Sequence, residues 1–406
     1  MFYKVKCAKF NYCVIHRLAG QAYTEQYQLT YRRQIMQIDE FTLERIQSLY
    51  ENLVELNLSD SGVHPYRLNE LLNQEQQQEL LSIELGYGWT NGSVQLRERI
   101  AALYSNRTSD NVIVTNGSAE ANFLMVMSLL EKGDELIVIV PNYMQIAGWA
   151  KSLGVKVVEI PLSEQDGWLP NFELLEKSIS ANTKMLTICH PNNPTGSTLP
   201  LDQIQELVNF AKRHDIYIHA DEVYKGAEFD GNELPSFADE YEKAIITCGL
   251  SKAMAMPGLR LGWLVGLPDD IYKTWQCKDY TSITTSAVSE YVANIVLEPT
   301  FRHQVLTRSK EFLIDNLNRI SEWVDENSWA SFVPPKAGGM AFIRYDLPVN
   351  STELAHEFRQ ELSVLILPGD VYGLDGYFRV GIGAPSDHLE KGLERISHYV
   401  KHKYGV

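Results

Sequence analysis

From about residue 110, short runs of apolar and β-branched residues alternate with longer segments whose apolar positions recur every three or four residues. The runs are NVIVT (111–115), ELIVIV (135–140), KVVEI (156–160), KMLTIC (184–189), IYIHAD (216–221), AIITC (244–248) and RLGWLVG (260–266). Several are apolar throughout, the pattern of strands covered on both faces. Between them, AEANFLMVMSLLEKG (119–133) and LDQIQELVNFAKRH (201–214) have helical spacing. Each ends near a glycine or basic residues, as helix C-termini do. The alternation predicts an α/β fold: a mainly parallel sheet of about seven strands sandwiched by helices.

After about residue 285 the pattern changes. The helical segments VSEYVANIVLE and RSKEFLIDNLNRISEWVDE lead to GGMAFIRYDL and YFRVGIGA, with helical STELAHEFRQEL between them. HLEKGLERISHYVKHKY closes what reads as a smaller α+β domain. The expected organisation is a leader (1–35), a segment packing with the small domain (36–75), a large domain (76–285) and the C-terminal small domain (286–406). No low-complexity linker separates the two domains, so a shared face with a ligand cleft is expected.

Composition narrows the function. The chain has 406 residues, 45% hydrophobic and 22% charged, with net charge −16. That balance argues against a nucleic-acid partner, which calls for a basic face. No apolar run approaches the roughly 18 residues of a membrane span. The cysteines Cys7, Cys13, Cys189, Cys248 and Cys277 are scattered, without the clustering of a zinc site or disulfide framework. A reducing cytoplasm is the expected setting. The leader differs, with Lys4, Lys6, Lys9, Arg17, Arg32 and Arg33 against Glu25; the rest holds 30 bases and 51 acids, a balance of −21. It reads either as a transit peptide or, preferentially, as a stretch upstream of a start at Met36, where MQIDEFTLERIQSLY begins as an amphipathic helix.

Ligands of parallel α/β sheets collect beyond the carboxyl ends of strands. Four clusters sit at such ends. NGSAEA (116–121) offers Gly117 and the amides of Ser118 and Ala119 to a phosphate at a helix N-terminus. HPNNPTG (190–196) is a stiff turn carrying Asn193 before Pro194, a bond that can be cis. Asp221 ends a buried strand, with Tyr224 three residues on; its carboxylate needs a cation or N–H partner, or caps a helix. In GLSKAMAMPGLRLGW (249–263), Lys252 lies among small and apolar residues, with Arg260 behind it. A lysine so placed loses its charge readily and reacts with aldehydes. The four clusters together ask for a ligand with a phosphate, a ring needing an acidic partner, an acceptor for Asn and Tyr donors, and a carbonyl for lysine. Pyridoxal 5′-phosphate has each.

With YGWTNGSVQLR (87–97), NGSAEA, NNPTG, DEVY, SKxxxxPGLRLGW and FRVG in that order, the sequence resembles the class I/II aminotransferases of fold type I from about Asn57 to the C-terminus. The resemblance implies that 76–285 is the cofactor-binding domain, with a type I aminotransferase-like architecture. It implies that Lys252 forms the Schiff base, Asp221 keeps the pyridine nitrogen protonated, and Asn193 and Tyr224 donate to the ring's phenolate oxygen. Tyr143 stacks on the ring, and Gly117, Ser118, Ala119, Ser251 and Arg260 form the phosphate cup. Tyr87 reaches the neighbouring subunit's phosphate, which implies a homodimer with shared sites. Arg379 grips the substrate α-carboxylate beside Asn193. Amino-acid and 2-oxo-acid substrates follow, with Gly62, Tyr66, Trp89 and Tyr280 as further substrate-side candidates. DSGVHPY (60–66), KDYTSITTS (278–286) and LPGDVYG (367–373) look similar to capreomycidine synthase, a family member that cyclises a modified arginine. A lyase, cyclase or synthase therefore stands as the alternative to transamination.

Overall fold

Helix α1 (Thr42–Tyr50), which buries Leu43, is followed by a short strand β1 (Leu56–Asn57). The computed structural model describes residues 38–406; the leader, and the reading of where translation starts, lie outside the described residues. The seven apolar runs then become β2 (Val112–Thr115), β3 (Glu135–Val140), β4 (Lys156–Pro161), β5 (Thr183–Cys189), β6 (Tyr217–Asp221), β7 (Ala244–Gly249) and β8 (Gly262–Val265). They form one sheet in the order β2–β8–β7–β6–β5–β3–β4. The pairs from β7 through β4 are all parallel, and β8 runs antiparallel to both β2 and β7.

The inner strands are buried on both faces, so they show no alternation. The edge strand β4 differs: it exposes Lys156, Glu159 and Pro161, residues that discourage pairing with another chain. Helix α3 (Leu201–His214) matches the segment read from the sequence, and α2 (Ser118–Leu129) starts one residue earlier than its segment and ends within it. On α3, Ile204, Leu207, Val208 and Ala211 give one buried face.

Register decides where the chemistry meets. Cys189 of β5 lies opposite Asp221 of β6, and Asp221 lies opposite Thr247 of β7. Thr115 of β2 and Gly249 of β7 both pair with Gly262 of β8. The NGSAEA turn, the HPNNPTG turn, Asp221 and the Ser251–Lys252 segment therefore leave the same edge of the sheet.

The C-terminal third adds α4 (Ala287–Val296), α5 (Pro299–Glu326), β9 (Ala330–Ser331), β10 (Met340–Tyr345), α6 (Ser351–Leu362), β11 (Val364–Leu365), β12 (Leu367–Pro368), β13 (Tyr377–Gly381) and α7 (Ser386–Tyr404). Helix α5 begins well before the expected Arg308. Pro299 opens it, where a missing N–H costs nothing, and the Glu298 side chain accepts from Phe301 N. Strands β12, β13, β10 and β9 make an antiparallel sheet, while β1 pairs in parallel with β11. The segment following β1 runs against residues 381–383: Gly381 N donates to Leu58 O (2.7 Å) and His64 N to Gly383 O (2.8 Å). A Cβ at Gly381 would collide with the carbonyl of Asp60, and one at Gly383 with that of Gly62. Only glycines permit that approach.

Candidate active site

Asp221 ends β6 with its carboxylate buried. Oδ1 accepts from Val223 N (3.2 Å), and Oδ2 accepts from Asn122 Nδ2 (3.2 Å). Residues 223–226 form turns rather than a helix, so Asp221 caps no helix here. Two neutral donors do not offset the loss of water, and burial pushes the carboxyl up to about 6. A cation placed beside it would restore the ionised form.

The turn after β5 brings its amide to the same edge; the Asn193–Pro194 bond is cis. Asn193 Nδ2 donates to Tyr224 Oη (3.1 Å), and Asn193 Oδ1 accepts from Arg379 Nη1 (2.8 Å). Tyr224 Oη also lies 2.8 Å from Ser61 Oγ. All four residues are buried, and burial holds the Tyr224 phenol protonated well above its usual range. Arg379, on β13, is 1% exposed, with Nη2 bonded to the Ser59 carbonyl and the Tyr372 ring 5.8 Å from its Cζ. Its Nε has no partner. A buried guanidinium with an unused N–H is suited to an added carboxylate.

Lys252 departs from the expectation of an amine among small, apolar neighbours. Its Nζ lies 2.9 Å from Asp60 Oδ1, and its side chain is 27% exposed. A partly exposed ammonium gains from an acceptor, and Asp60 provides it. The same oxygen accepts from Gly62 N (2.9 Å). The Lys252 ammonium holds the Asp60 carboxyl far below the usual carboxylate range. Gly62 lies alongside: a Cβ there would sit 3.5 Å from Lys252 Cδ.

The phosphate-cup candidates surround the start of α2. Gly117 has φ +81° as the residue before that helix, and a Cβ on it would strike Arg260 Nη2. Arg260 itself is left-handed, φ +48°, with Nη1 donating to Pro257 O (3.0 Å). Its guanidinium thus stands at the helix N-terminus beside the Ser118 and Ala119 amides, an arrangement that attracts an anion. Tyr143 is fixed by Tyr143 Oη donating to Glu44 Oε1 (2.6 Å) and by an edge contact with Phe41 (4.9 Å). Burial raises its phenol well above the usual range, with Glu44 adding to the effect.

The remaining candidates lie on segments that border this group, with Tyr66 N donating to Ala255 O (3.2 Å) and Asn116 Nδ2 to Thr284 O (3.3 Å). Tyr87, Trp89 and Tyr280 are 85%, 63% and 93% exposed. Their loops adjoin, since Thr284 Oγ1 donates to Trp89 O (3.4 Å) and Lys278 Nζ to Thr90 O (2.6 Å). Tyr66 is half-buried, its ring 4.1 Å from the Arg308 guanidinium. Sequence reading missed Asp60, Ser61, Asn122 and Tyr372. Asn122 had a usable signal, because it lies one turn beyond Ser118 on the helix leading from the phosphate turn. Asp60 had none: it is 192 positions from Lys252. Among the described residues no His, Cys, Asp or Glu group could hold a metal, and no helix is long and apolar enough to cross a membrane.

A sheet edge carrying a buried carboxylate, an Asn–Tyr–Arg network, a lysine and a cationic helix start has the groups that an anionic, carbonyl-bearing cofactor needs. The model for "Aminotransferase class I and II" matches residues 52–396, and the chain belongs to that family, a family of pyridoxal 5′-phosphate-dependent enzymes. Relatives include the capreomycidine synthase of Streptomyces vinaceus, 28% identical over 84% of this chain and 88% of that protein. The aspartate aminotransferase of Pyrococcus horikoshii is 29% identical over 77% of this chain and 83% of that protein. A solved aminotransferase from Streptococcus suis, described as PLP-dependent, superposes with a TM-score of 0.86 at 30% identity, covering 90% of this chain and 99% of the other.

Proposed function

We propose that this chain is a transaminase that moves an amino group from an amino acid to a 2-oxo acid, with Lys252 as the residue that forms the Schiff base. The observation that carries the reading is the convergence of Lys252, Asp221, the Asn193–Tyr224 pair and Arg379 at one sheet edge, with a free Arg379 N–H. Bound there, pyridoxal 5′-phosphate supplies an aldehyde and an electron-accepting ring. The chain supplies the rest. Gly117, Ser118, Ala119, Ser251 and Arg260 would hold the phosphate, and Asp221, braced by Asn122, the ring nitrogen. Asn193 and Tyr224 would donate to the ring oxygen, and Tyr143 would cover the ring face.

On the substrate side, Arg379 would grip the α-carboxylate near Gly62, where a Cβ would press on the Ser251 carbonyl at 3.3 Å. With the substrate so oriented, the Lys252 amine moves the proton at the substrate's Cα. The exposed belt of Tyr87, Trp89 and Tyr280, continued by Leu81, Leu85 and Ile283, supports a homodimer in which a second copy covers these side chains and Tyr87 reaches the partner's phosphate. The β1–β11 pairing supports grouping residues 36–75 with 286–406 against a large domain of 76–285. The free thiols of Cys189, Cys248 and Cys277 suit a cytoplasmic setting.

The test is a spectrophotometric screen of amino acids against the purified, loaded protein. The expected result is loss of the cofactor's visible absorbance with stoichiometric 2-oxo acid, reversed by adding a 2-oxo acid. A second reading, a cyclase, lyase or synthase, is favoured by the likeness to capreomycidine synthase over most of both chains. Ammonia or a cyclised product without stoichiometric 2-oxo acid would select it.

A further inference from the structure

The Asp60 carboxylate has no part in the roles assigned so far, yet it contacts the reactive nitrogen itself. We propose that Asp60 is a positioning residue for Lys252, holding Nζ in one place and keeping a proton on that nitrogen. The inference rests on the reading of Lys252 as the Schiff-base residue.

Three observations carry it. The contact is direct, with Nζ 2.9 Å from Oδ1, and the oxygen is oriented by the Gly62 amide at 2.9 Å. The backbone bearing Asp60 is also fixed, because Leu58 O and His64 N are bonded to Gly381 and Gly383, whose missing side chains allow the approach. Finally, Asp60 is the carboxylate that touches Nζ, while the Lys252 charge reaches Asp221 without contact. Asp221 is tied to Asn122 and Val223 and makes no hydrogen bond to Lys252. The other groups facing the pair are Glu51 beyond the end of α1, the Tyr372 phenol and the Arg379 guanidinium. Burial holds the Tyr372 phenol neutral, and Arg379 already bonds Asn193 and the Ser59 carbonyl. An anion touching a nitrogen stabilises its protonated form, so the nitrogen should release its proton at higher pH with Asp60 than without it.

This is testable in the loaded protein by its colour, without turnover. The visible absorbance of the cofactor–lysine link is titrated against pH in wild type, Asp60→Asn and Asp60→Glu. Asparagine keeps an oxygen for the Gly62 amide and removes only the charge. The midpoint is expected to fall by about 1–2 pH units in Asp60→Asn and to return most of the way in Asp60→Glu. A midpoint in Asp60→Asn within about 0.3 units of wild type overturns the proposal, given that one unit marks a specific interaction of ordinary size. So does a lowered melting temperature with an unmoved midpoint, which makes Asp60 purely structural. Borohydride reduction keeps the two failures apart. If it fixes no cofactor on Lys252 in the wild type, the reading of Lys252 fails first; if it does and the midpoint stays put, only the role of Asp60 fails.

Discussion

The two walls of the candidate site hold their polar groups in different ways. On the sheet side, Asp221, Asn193 and the Ser251–Lys252 segment leave neighbouring strands whose register aligns them, so each group is placed by local backbone. On the opposite side, residues 58–66 form no extended sheet. They are held by backbone bonds to residues 365, 381 and 383 and by two glycines that let the chains touch. In the proposed reading the sheet wall supplies the cofactor chemistry, while the clamped wall brings Asp60 to Lys252 and Ser61 to Tyr224. One wall is built by topology and the other by close approach, so they should fail differently.

The sharpest break is at the shared reactive group. Lys252→Ala should lower turnover by about 10³-fold or more, because no other amine stands in place, while the far-ultraviolet circular dichroism stays unchanged. Retained turnover would remove Lys252 from the account. On the substrate side, Arg379→Lys should lower kcat/KM by about 10²-fold, mainly through KM, since an ammonium cannot bond Asn193, the Ser59 carbonyl and a carboxylate as a planar fork does. Steady-state kinetics with the best amino donor checks the split.

The clamp is tested by Gly381→Ala. Its Cβ would strike the Asp60 carbonyl, so urea denaturation should show a loss of about 1–3 kcal/mol. The colour midpoint should shift with it as Asp60 moves. A stable variant with an unmoved midpoint would show that the wall yields freely.

Asp221 probes the sheet wall through pH. Its folded carboxyl is raised to about 6, above an unfolded value near 4, so between these the native state binds more protons than the unfolded one. Stability from this residue is therefore greatest below pH 4 and declines as pH rises through 6. In the cofactor-free protein, Asp221→Asn should be more stable than wild type at pH 7, by about 1–2 kcal/mol, with the difference vanishing toward pH 4. Urea midpoints at the two pH values decide it. An equal difference at both would mean that burial does not penalise the charge.

The same contrast explains what could be read from the sequence. All seven strands of the large sheet were visible as runs rich in apolar and β-branched residues: six are buried almost throughout, and the half-exposed edge strand β4 keeps its Val-Val and Ile positions. The residues at their ends followed, since strand ends are where ligands gather. The clamped wall was not legible. Gly62 and Tyr66 stood out in DSGVHPY, but nothing along the chain pairs Asp60 with Lys252 or Ser61 with Tyr224. Those contacts come from tertiary approach between segments 163 to 192 positions apart. The exposed Tyr87, Trp89 and Tyr280 mark a third case, residues whose role rests on the proposed homodimer.

The most direct measurement of the central claim is borohydride reduction of the purified, cofactor-loaded protein followed by peptide mapping by mass spectrometry. The account predicts one modified peptide, spanning GLSKAMAMPGLR, with the reduced cofactor on Lys252. A cofactor fixed on any other lysine, or none fixed at all, would contradict it.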